Sequence, residues 1–232
     1  MDVSIVIPVY NEAATIDQVL ERVLAAPLLP GTALQREVIV IDDGSTDGTR
    51  ERLAAWADSV RIILLDGNHG KGYALRQGFA AAQGTIVLIQ DADLEYDPAE
   101  YPRILSPFYS HRADVVYGSR FLGGETRRVL YFWHMVVNRF ITLLSNMFSN
   151  LNLTDVETCY KAMRREYLQR LSLQEDRFGI EIELTIKLAR LGIRFFEASI
   201  SYNGRTYEEG KKIGWRDAVR AIWCIFKYGL CG

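Results

Sequence analysis

The first half of the chain alternates short apolar runs with helical patterns, and this alternation limits the possible folds more than any other feature. Val3 to Val9 is an almost unbroken apolar run, as expected for a strand that is covered on both faces. Residues 13–25 follow with apolar side chains at helical spacing. Further strands are predicted at 38–41, 60–65 and 86–89, with helices between them. This order is typical of a parallel sheet with helices on both faces, so we predict an α/β fold.

Local signals also predict where two of the helices begin and end. Ser45 or Thr46 is expected to cap a helix that starts near Asp47. A second helix is predicted from about residue 70 to 83, with Gly84 as the residue that ends it. Both helices would then follow directly from the loops that leave the strands.

Three of the four predicted strands end in polar turns that contain acidic residues. These turns are Tyr10-Asn11-Glu12, Asp42-Asp43 and Asp91-Ala92-Asp93. In open α/β sheets, ligands bind beyond the carboxyl ends of the parallel strands. We therefore expect the three turns to converge at one edge of the sheet and to form the functional site there.

Asp91 and Asp93 are two carboxylates separated by one residue, directly after a buried strand. Mg²⁺ and Mn²⁺ are hard cations that bind one or two carboxylates together with phosphate oxygens, and Glu95 can supply a third oxygen. An Asp-x-Asp pattern is common and carries little weight alone, but its predicted place on the same edge as Asp42 favours a metal site. We predict Asp91, Asp93 and Glu95 as ligands of a cation that neutralises a departing diphosphate.

Asp42 opens the second acidic turn, which continues through Asp47. An acid at the end of this strand can accept hydrogen bonds from the base or ribose of a nucleotide. The same residues can instead form a capped turn, with Asp43 and Ser45 bonded to the backbone. The two interpretations are compatible, and we predict Asp42 as a nucleotide ligand and Ser45 as the cap.

Composition and charge narrow the functional classes. The net charge of −2 argues against bulk electrostatic binding of nucleic acid. Cys159, Cys224 and Cys231 lack metal-ligand spacing and predict a reducing compartment without a disulfide framework. The first residues have no basic, signal-type pattern, and no run of about 18 residues is free of polar interruptions. We therefore expect a cytoplasmic protein without a transmembrane helix.

The second half of the chain differs in pattern from residue 114 onward. Its predicted elements are a short strand at 114–117, a long helix at 129–149, a helix at 180–191, a strand at 194–202 and a final helix at 215–228. We interpret residues 1–232 as one domain, in which 1–113 form a nucleotide half and 114–232 an acceptor half.

Two helices of the second half are amphipathic. In 129–148 the polar residues recur at nearly helical spacing, opposite an apolar face that contains Trp133 and Phe140. The final helix carries Arg216, Arg220 and Lys227 opposite Trp215, Val219, Ile222, Trp223 and Phe226. A basic amphipathic helix rich in aromatic residues can lie in a membrane interface. Both helices can also pack on the core, and the pattern alone leaves the choice open.

Four motifs, in this order, resemble those of the large inverting glycosyltransferase family 2, which has the GT-A fold. They are VIPVYNE at 6–12, DDGSTD at 42–47, NHGKG at 68–72 and DAD at 91–93. The resemblance covers roughly residues 3–120. It implies a GT-A fold with a Rossmann-like, mostly parallel sheet, to which the C-terminal amphipathic helices are added.

Within that family the chain looks most like the dolichyl- and polyprenyl-phosphate mannosyl- and glucosyltransferases. Residues 118–121 (GSRF) are similar to their Gly-Ser-Arg motif, and 205–212 resemble the basic loop that closes over the donor diphosphate. Residues 155–161 (DVETCYK) depart from the D-x-x-S-G-F-R of many members. Because this segment concerns the acceptor, the resemblance specifies the donor site better than the acceptor site.

The resemblance also implies roles for individual residues. The catalytic residues would be Asp93 and Arg120. The donor nucleotide would contact Pro8, Tyr10, Glu12, Asp42, Asp91 and Ala92, and phosphate groups would contact Arg120, Arg205 and Lys211. The implied partners are Mg²⁺ or Mn²⁺, GDP-mannose or UDP-glucose as donor, and a polyprenyl or dolichyl phosphate as acceptor. A lipid acceptor further implies peripheral contact with the inner face of a membrane.

Simple chemistry is consistent with this reaction. A polyprenyl phosphate is already an anionic nucleophile, so the enzyme needs positioning and cations more than a general base. Two alternatives remain open. A family 2 enzyme that glycosylates a saccharide hydroxyl would need a base, for which Asp155, Glu157 and Glu181 are candidates. The other alternative is a non-catalytic nucleotide-binding domain.

Overall fold

The structure is a computed structural model that describes residues 2–123, 128–129, 131–205 and 214–231. The strands are β1 (Val3–Val9), β2 (Arg36–Asp42), β3 (Arg61–Leu64), β4 (Ile86–Ile89), β5 (Val115–Ser119), β6 (Lys161–Arg164) and β7 (Phe195–Ser199). The helices are α1 (Ile16–Ala25), α2 (Thr49–Ala54), α3 (Lys71–Ala81), α4 (Tyr101–Ser110), α5 (Phe132–Ser149), α6 (Arg165–Leu168), α7 (Ile180–Ala189) and α8 (Trp215–Cys231). A 3₁₀ turn, Pro98–Glu100, precedes α4.

The strands form a seven-stranded sheet in the order β3-β2-β1-β4-β6-β5-β7. Strand β1 pairs in parallel with β2 and β4, and β2 pairs in parallel with β3. Strand β6 is antiparallel to both of its neighbours, β4 and β5, so these two neighbours run in the same direction. The predicted α/β architecture with a mostly parallel sheet is therefore confirmed, and the carboxyl ends of β1, β2, β4 and β5 share one edge.

Helix α1 shows how the first half of the chain builds its core. Ile16, Val19, Leu20 and Val23 lie at helical spacing and are buried. Full burial of one such side chain contributes about 1.5–3 kcal/mol. The amphipathic pattern thus fixes both the helical conformation of this segment and the side that it turns to the sheet.

Helix α5 differs from α1, because polar as well as apolar side chains face the protein. Its buried residues are Ile141, Thr142 and Ser145, whereas Trp133 is 73% exposed and Phe140 is 50% exposed. The polar side makes hydrogen bonds to the protein, because the Thr142 hydroxyl accepts the backbone N–H of residue 156 at 3.3 Å. The apolar face predicted from the sequence is therefore divided, because Ile141 is buried and Phe148 packs against the core, whereas Trp133 and Phe140 are exposed.

Helix α8 packs against α5 and α7. Phe226 meets Phe148 of α5 edge to face, with the ring centroids 5.2 Å apart. Arg220 and Lys227, two of the basic residues predicted on one side of this helix, both bind the buried carboxylate of Glu175, at 2.7 and 3.1 Å. The side chains of Trp215 and Arg216 lie outside the described part of the chain. In the described ranges, no helix combines the length and the apolar character needed to cross a bilayer.

Two predicted helix boundaries are wrong. Helix α2 begins at Thr49 after Gly48, whose φ of 94° suits glycine, and the capping acceptor is Asp47 Oδ1, which accepts the Thr49 N–H at 3.1 Å. Ser45 and Thr46 do not cap the helix. Helix α3 ends at Ala81 rather than next to Gly84. A Cβ at Gly84 would lie 2.6 Å from the backbone nitrogen of Ser4, so this glycine is required by the close approach of β1.

Helix α4 is not predicted by the sequence pattern. It carries Pro107 inside its span, and an internal proline normally argues against a helix. Its buried residues, Tyr101, Ile104, Leu105 and Phe108, lie at helical spacing and pack against the core. Tertiary packing therefore outweighs the local signal in this segment.

Candidate functional site

The three acidic turns meet at the carboxyl edge of the sheet, as predicted. Val9 and Asp42 are register partners at the ends of β1 and β2, and β4 lies on the other side of β1. Thr15 joins two of the turns, because its hydroxyl lies 3.0 Å from Glu12 Oε2 and 2.7 Å from the carbonyl oxygen of Ala92. The parallel strands thus bring residues that are far apart in sequence into one site.

Asp91 is paired with a lysine that the sequence analysis missed. Lys71, the first residue of α3, places its Nζ 2.9 Å from Asp91 Oδ1 and 3.2 Å from Glu181 Oε1. Burial alone would lower the pKa of Lys71, but the carboxylates of Asp91 and Glu181 raise it well above its ordinary value. Burial raises the pKa of Asp91, but Lys71 outweighs this and lowers it. A signal for Lys71 was present, since it belongs to the NHGKG motif.

Asp93 and Glu95 are paired with Arg205, one of the predicted phosphate-binding residues. Arg205 Nη2 lies 3.0 Å from Asp93 Oδ2, and the Arg205 backbone N–H donates to Glu95 Oε1 at 2.8 Å. The guanidinium also reaches both oxygens of Glu12 at 3.4 Å. Burial, together with the neighbouring charges of Asp91 and Glu95, raises the pKa of Asp93 to about 7.

The carboxylates at this edge fit a divalent cation by their chemistry. Their oxygens are the donors that Mg²⁺ and Mn²⁺ prefer. Among the described residues, however, no three His, Cys, Asp or Glu side chains converge as a ready metal-binding group. Asp91 is turned to Lys71 and Asp93 to Arg205, so the acids are balanced by cations of the chain itself. Asp91, Asp93 and Glu95 remain the residues that would hold the metal.

Asp42 has one engaged and one unengaged carboxylate oxygen. Its Oδ1 accepts the Ser45 N–H at 3.1 Å and Arg50 Nε at 2.6 Å. Its Oδ2 is buried and has no hydrogen-bond partner among the described residues. Buried polar atoms are nearly always hydrogen-bonded, so this oxygen is suited to an N–H or O–H donor of a ligand. Arg50, which orients the carboxylate, was not predicted.

The remaining predicted donor contacts belong to the turns and strand ends at the same edge of the sheet. Pro8 is half-buried within β1, opposite Ile41, and Tyr10 follows the strand with 37% of its surface exposed. Ala92 is buried, and its carbonyl oxygen is the acceptor for Thr15. Their nucleotide-binding role stays a prediction.

Arg120 follows β5 and is held rigidly near the same edge. Asp155 binds it through two side-chain contacts, Nε–Oδ2 at 2.6 Å and Nη2–Oδ1 at 2.8 Å. Its guanidinium also lies 5.0 Å from the ring centroid of Tyr202, whose hydroxyl donates to Glu95 at 2.8 Å. Burial disfavours the charge, but Asp155 raises the pKa of Arg120 well above its ordinary value. Tyr202 therefore links Arg120 to Glu95, two residues after Asp93.

The three carboxylates named as candidate bases have different environments. Asp155 is fully engaged with Arg120, and Glu181 binds Lys161 and Lys71. Glu157 has a side-chain oxygen, Oε1, that is buried without a partner among the described residues. Burial, assisted by the charge of Glu181, raises the pKa of Glu157 to about 7. Lys211, the third predicted phosphate ligand, lies outside the described residues.

Comparison with known proteins identifies the family. The model of the family described as "Glycosyl transferase family 2" matches residues 4–172. The chain belongs to this family. It is 31% identical over 233 residues to an undecaprenyl-phosphate mannosyltransferase of Micrococcus luteus, covering 92% of this chain and 88% of that protein. It is 30% identical over 214 residues to an undecaprenyl-phosphate 4-deoxy-4-formamido-L-arabinose transferase of Aeromonas hydrophila, covering 90% of this chain and 62% of that protein.

Solved structures give the same result for the fold. Glucosyl-3-phosphoglycerate synthase from Mycobacterium tuberculosis, in complex with Mn²⁺, UDP and phosphoglyceric acid, superposes with a TM-score of 0.75 at 25% identity. The match covers 100% of this chain and 79% of that one. The same enzyme with Mg²⁺ and UDP superposes with a TM-score of 0.72. The predicted GT-A fold and glycosyltransferase class are thus confirmed, and the alternative of a non-catalytic domain is not supported.

Proposed function

We propose that this glycosyltransferase moves a hexose, mannose or glucose, from GDP-mannose or UDP-glucose to a polyprenyl or dolichyl phosphate, with inversion at the anomeric carbon. The observation that carries the proposal is the position of Arg120. This cation is connected through Tyr202 to Glu95, two residues after Asp93, near where the donor diphosphate is expected. An anionic acceptor that binds beside Arg120 would therefore approach the donor from within the same site.

The environments of four acidic residues support the proposed donor site. Asp42 offers a buried, unpartnered oxygen to a nucleoside. Asp91, Asp93 and Glu95 would hold Mg²⁺ or Mn²⁺, which would neutralise the charge that develops on the departing diphosphate. Lys71 fixes Asp91 from the protein side, so the carboxylate is oriented before the donor arrives. Names of relatives that act on undecaprenyl phosphate support the lipid acceptor.

The acceptor end needs cations rather than a base. A phosphate monoester of a lipid carries its own negative charge, and the enzyme contributes by bringing two anionic substrates together. Arg120 and Arg205 have the fork geometry that suits phosphate oxygens. Asp155 holds Arg120 in place by two contacts, so the guanidinium keeps its direction without the acceptor. We propose that Arg120 binds the acceptor phosphate and Arg205 the donor diphosphate.

A lipid acceptor also explains the exposed apolar side chains of α5 and α8. Trp133 and Met147 of α5 are 73% and 70% exposed, and Val219 and Trp223 of α8 are 56% and 45% exposed. Since α5 and α8 pack on each other, these side chains lie on adjoining helices. We propose that this surface contacts the cytoplasmic face of a membrane peripherally, with the aromatic side chains in the interface.

The central test is a donor panel assayed with a short polyprenyl phosphate in the presence of Mg²⁺ or Mn²⁺. Wild-type protein should transfer mannose from GDP-mannose or glucose from UDP-glucose. Asp93→Ala should abolish transfer and metal-dependent nucleotide binding without unfolding the chain. Asp58→Ala, at an exposed acid away from the DxD turn, serves as the control and should keep full activity. Retained transfer by Asp93→Ala would refute the metal role.

One observation favours a second candidate, transfer to a saccharide hydroxyl. Glu157 combines an unpartnered buried oxygen with a pKa of about 7, which suits a general base at neutral pH. If Glu157 is that base, Glu157→Ala should lower kcat by about a thousandfold or more. With a lipid phosphate as the true acceptor, the same variant should retain most of its activity. Kinetics of Glu157→Ala on both kinds of acceptor therefore separate the two reactions.

A further inference from the structure

Arg205 is the side chain on which the acids of the carboxyl edge converge. Its Nη2 lies 3.0 Å from Asp93 Oδ2 and 3.4 Å from Glu12 Oε1, and its backbone N–H binds Glu95 Oε1 at 2.8 Å. The Arg205 side chain is also only 20% exposed. One cation of the chain thus holds two of the three predicted metal ligands, Asp93 and Glu95, and also contacts Glu12.

Lys71 provides the contrast within the same site. It pairs with Asp91 on one side and Glu181 on the other, and its side chain is 15% exposed at the start of α3. Glu181 remains as its partner whatever binds to Asp91. Among the described residues, Arg205 contacts the acids Glu12, Asp93 and Glu95, which all lie at the carboxyl edge where the donor is expected to bind. It therefore has no described partner away from this edge, as Lys71 has in Glu181. A ligand that takes these acids therefore displaces Arg205 but leaves Lys71 in place.

We propose that Arg205 occupies the cation position of the DxD turn until a divalent cation and a nucleoside diphosphate bind together, so that these two ligands bind cooperatively. This inference rests on the proposed function. A divalent cation alone would have to compete with Arg205 for Asp93 and Glu95, and the released guanidinium would lose its anionic partners. A diphosphate bound at the same time would supply new anionic oxygens to the guanidinium. Each ligand thereby lowers the cost of binding the other.

The mechanism predicts a definite pattern of affinities. Coupling between two ligands typically changes affinity by about 5- to 150-fold, and here part of it passes through Arg205. In Arg205→Gln the competitor is removed, so Mn²⁺ alone should bind about tenfold more tightly than to wild-type protein. Added nucleotide should raise the affinity of wild-type protein for Mn²⁺. In Arg205→Gln this increase should be smaller by about tenfold or more, because there is no guanidinium to move from the acids to the phosphates. Arg205→Lys keeps the positive charge and should retain most of the competition with Mn²⁺.

The experiment measures Mn²⁺ binding by electron paramagnetic resonance, alone and with UDP or GDP. Arg76→Gln is the matched control, because it removes the same charge but its partner is Asp176, at 2.6 Å, rather than a donor-edge acid. The control should behave as wild-type protein, and thermal unfolding checks that all variants fold.

Two different negative results are distinguishable. If Arg205→Gln leaves the affinity for Mn²⁺ alone within about twofold of wild type, or if Arg76→Gln changes it equally, Arg205 does not compete with the metal and the inference is overturned. If wild-type protein binds no Mn²⁺ even with either nucleotide, the metal site of the proposed function fails as well.

Discussion

Helices α1 and α5 are both amphipathic, but α1 buries its apolar stripe whereas α5 buries polar residues and leaves part of its apolar stripe exposed. Helix α1 buries its apolar residues, including Val19 and Leu20. Helix α5 buries Thr142 and Ser145 and leaves Phe140 half exposed. An apolar stripe in a sequence shows which side chains avoid water, but it does not show which neighbour, protein or lipid, covers them. For α1 that neighbour is the core, and for the exposed part of the α5 stripe we propose that it is lipid.

The polar side of α5 has its own role in the site. Asn146 binds both the N–H and the carbonyl oxygen of Leu153, at 3.0 and 2.8 Å, and Thr142 binds the N–H of Val156. The segment between these bonds contains Asp155, which holds Arg120. Helix α5 is thus attached to the acceptor side of the site by hydrogen bonds where α1 is attached to the sheet by apolar contact.

The largest expected difference between the helices is in stability. Leu20 is fully buried, so Leu20→Ala should lower the free energy of unfolding by about 2–5 kcal/mol. Phe140 is 50% exposed, so Phe140→Ala should lower it by about 1 kcal/mol or less. Urea unfolding of both variants measures the contrast. Equal losses would show that Phe140, like Ile141, belongs to the core.

The second prediction concerns membrane binding. The double variant Trp133→Ser with Phe140→Ser should bind anionic vesicles about ten- to a hundredfold more weakly, because it removes two exposed aromatic side chains from the proposed interface. Tyr109→Ser is the control, since Tyr109 is a 49% exposed aromatic on α4. Co-sedimentation that is unchanged in the double variant would remove α5 from the membrane contact. Deletion of α8 would be a poorer test, because Cys224 and Ile225 of that helix are buried.

The sequence predicts the first half of the fold better than the second for a physical reason. The apolar runs of β1 and β4 are local signals, and both strands were predicted with their observed bounds. The antiparallel insertion of β6 between β4 and β5 is a matter of strand order, which periodicity does not encode. The orientation of α5 likewise depends on its hydrogen bonds to residues 153 and 156, and these cannot be inferred from its own amphipathic pattern.

The residues of the candidate site also differ in how well the sequence predicts them. The acids could be located from sequence because each follows the end of a strand. Their partners could not, because the choice of Arg205 for Asp93 or of Arg120 for Asp155 depends on contacts between distant parts of the chain. Lys71 is the exception: its place in a recognised motif at the same sheet edge was a usable signal.

Glu157 follows Val156, which is hydrogen-bonded to α5, and its raised pKa predicts that the stability of the protein depends on pH. Its pKa in the folded protein is raised from the ordinary value of 4.5 to about 7, since burial and Glu181 disfavour the charged form. The native state is therefore penalised as pH rises from 4.5 through 7, and the full penalty applies above 7. Glu157→Gln should change stability little at pH 4, where the carboxyl is largely protonated in both states, and raise it by about 1–3 kcal/mol at pH 8. Urea unfolding at both values measures this, and equal effects would contradict the raised pKa.

The smallest expected effect tests the connection between α5 and the site. Asn146→Ala removes both hydrogen bonds to Leu153 and should cost about 1–2 kcal/mol of stability. Because Leu153 lies two residues before Asp155, the variant should also weaken the contacts between Asp155 and Arg120. As a result, KM for the lipid phosphate should rise more than KM for the donor. Asn152→Ala, an exposed neighbour, is the control. If Asn146→Ala lowers stability but leaves both KM values unchanged, α5 supports the fold without positioning Arg120, and its two sides act independently.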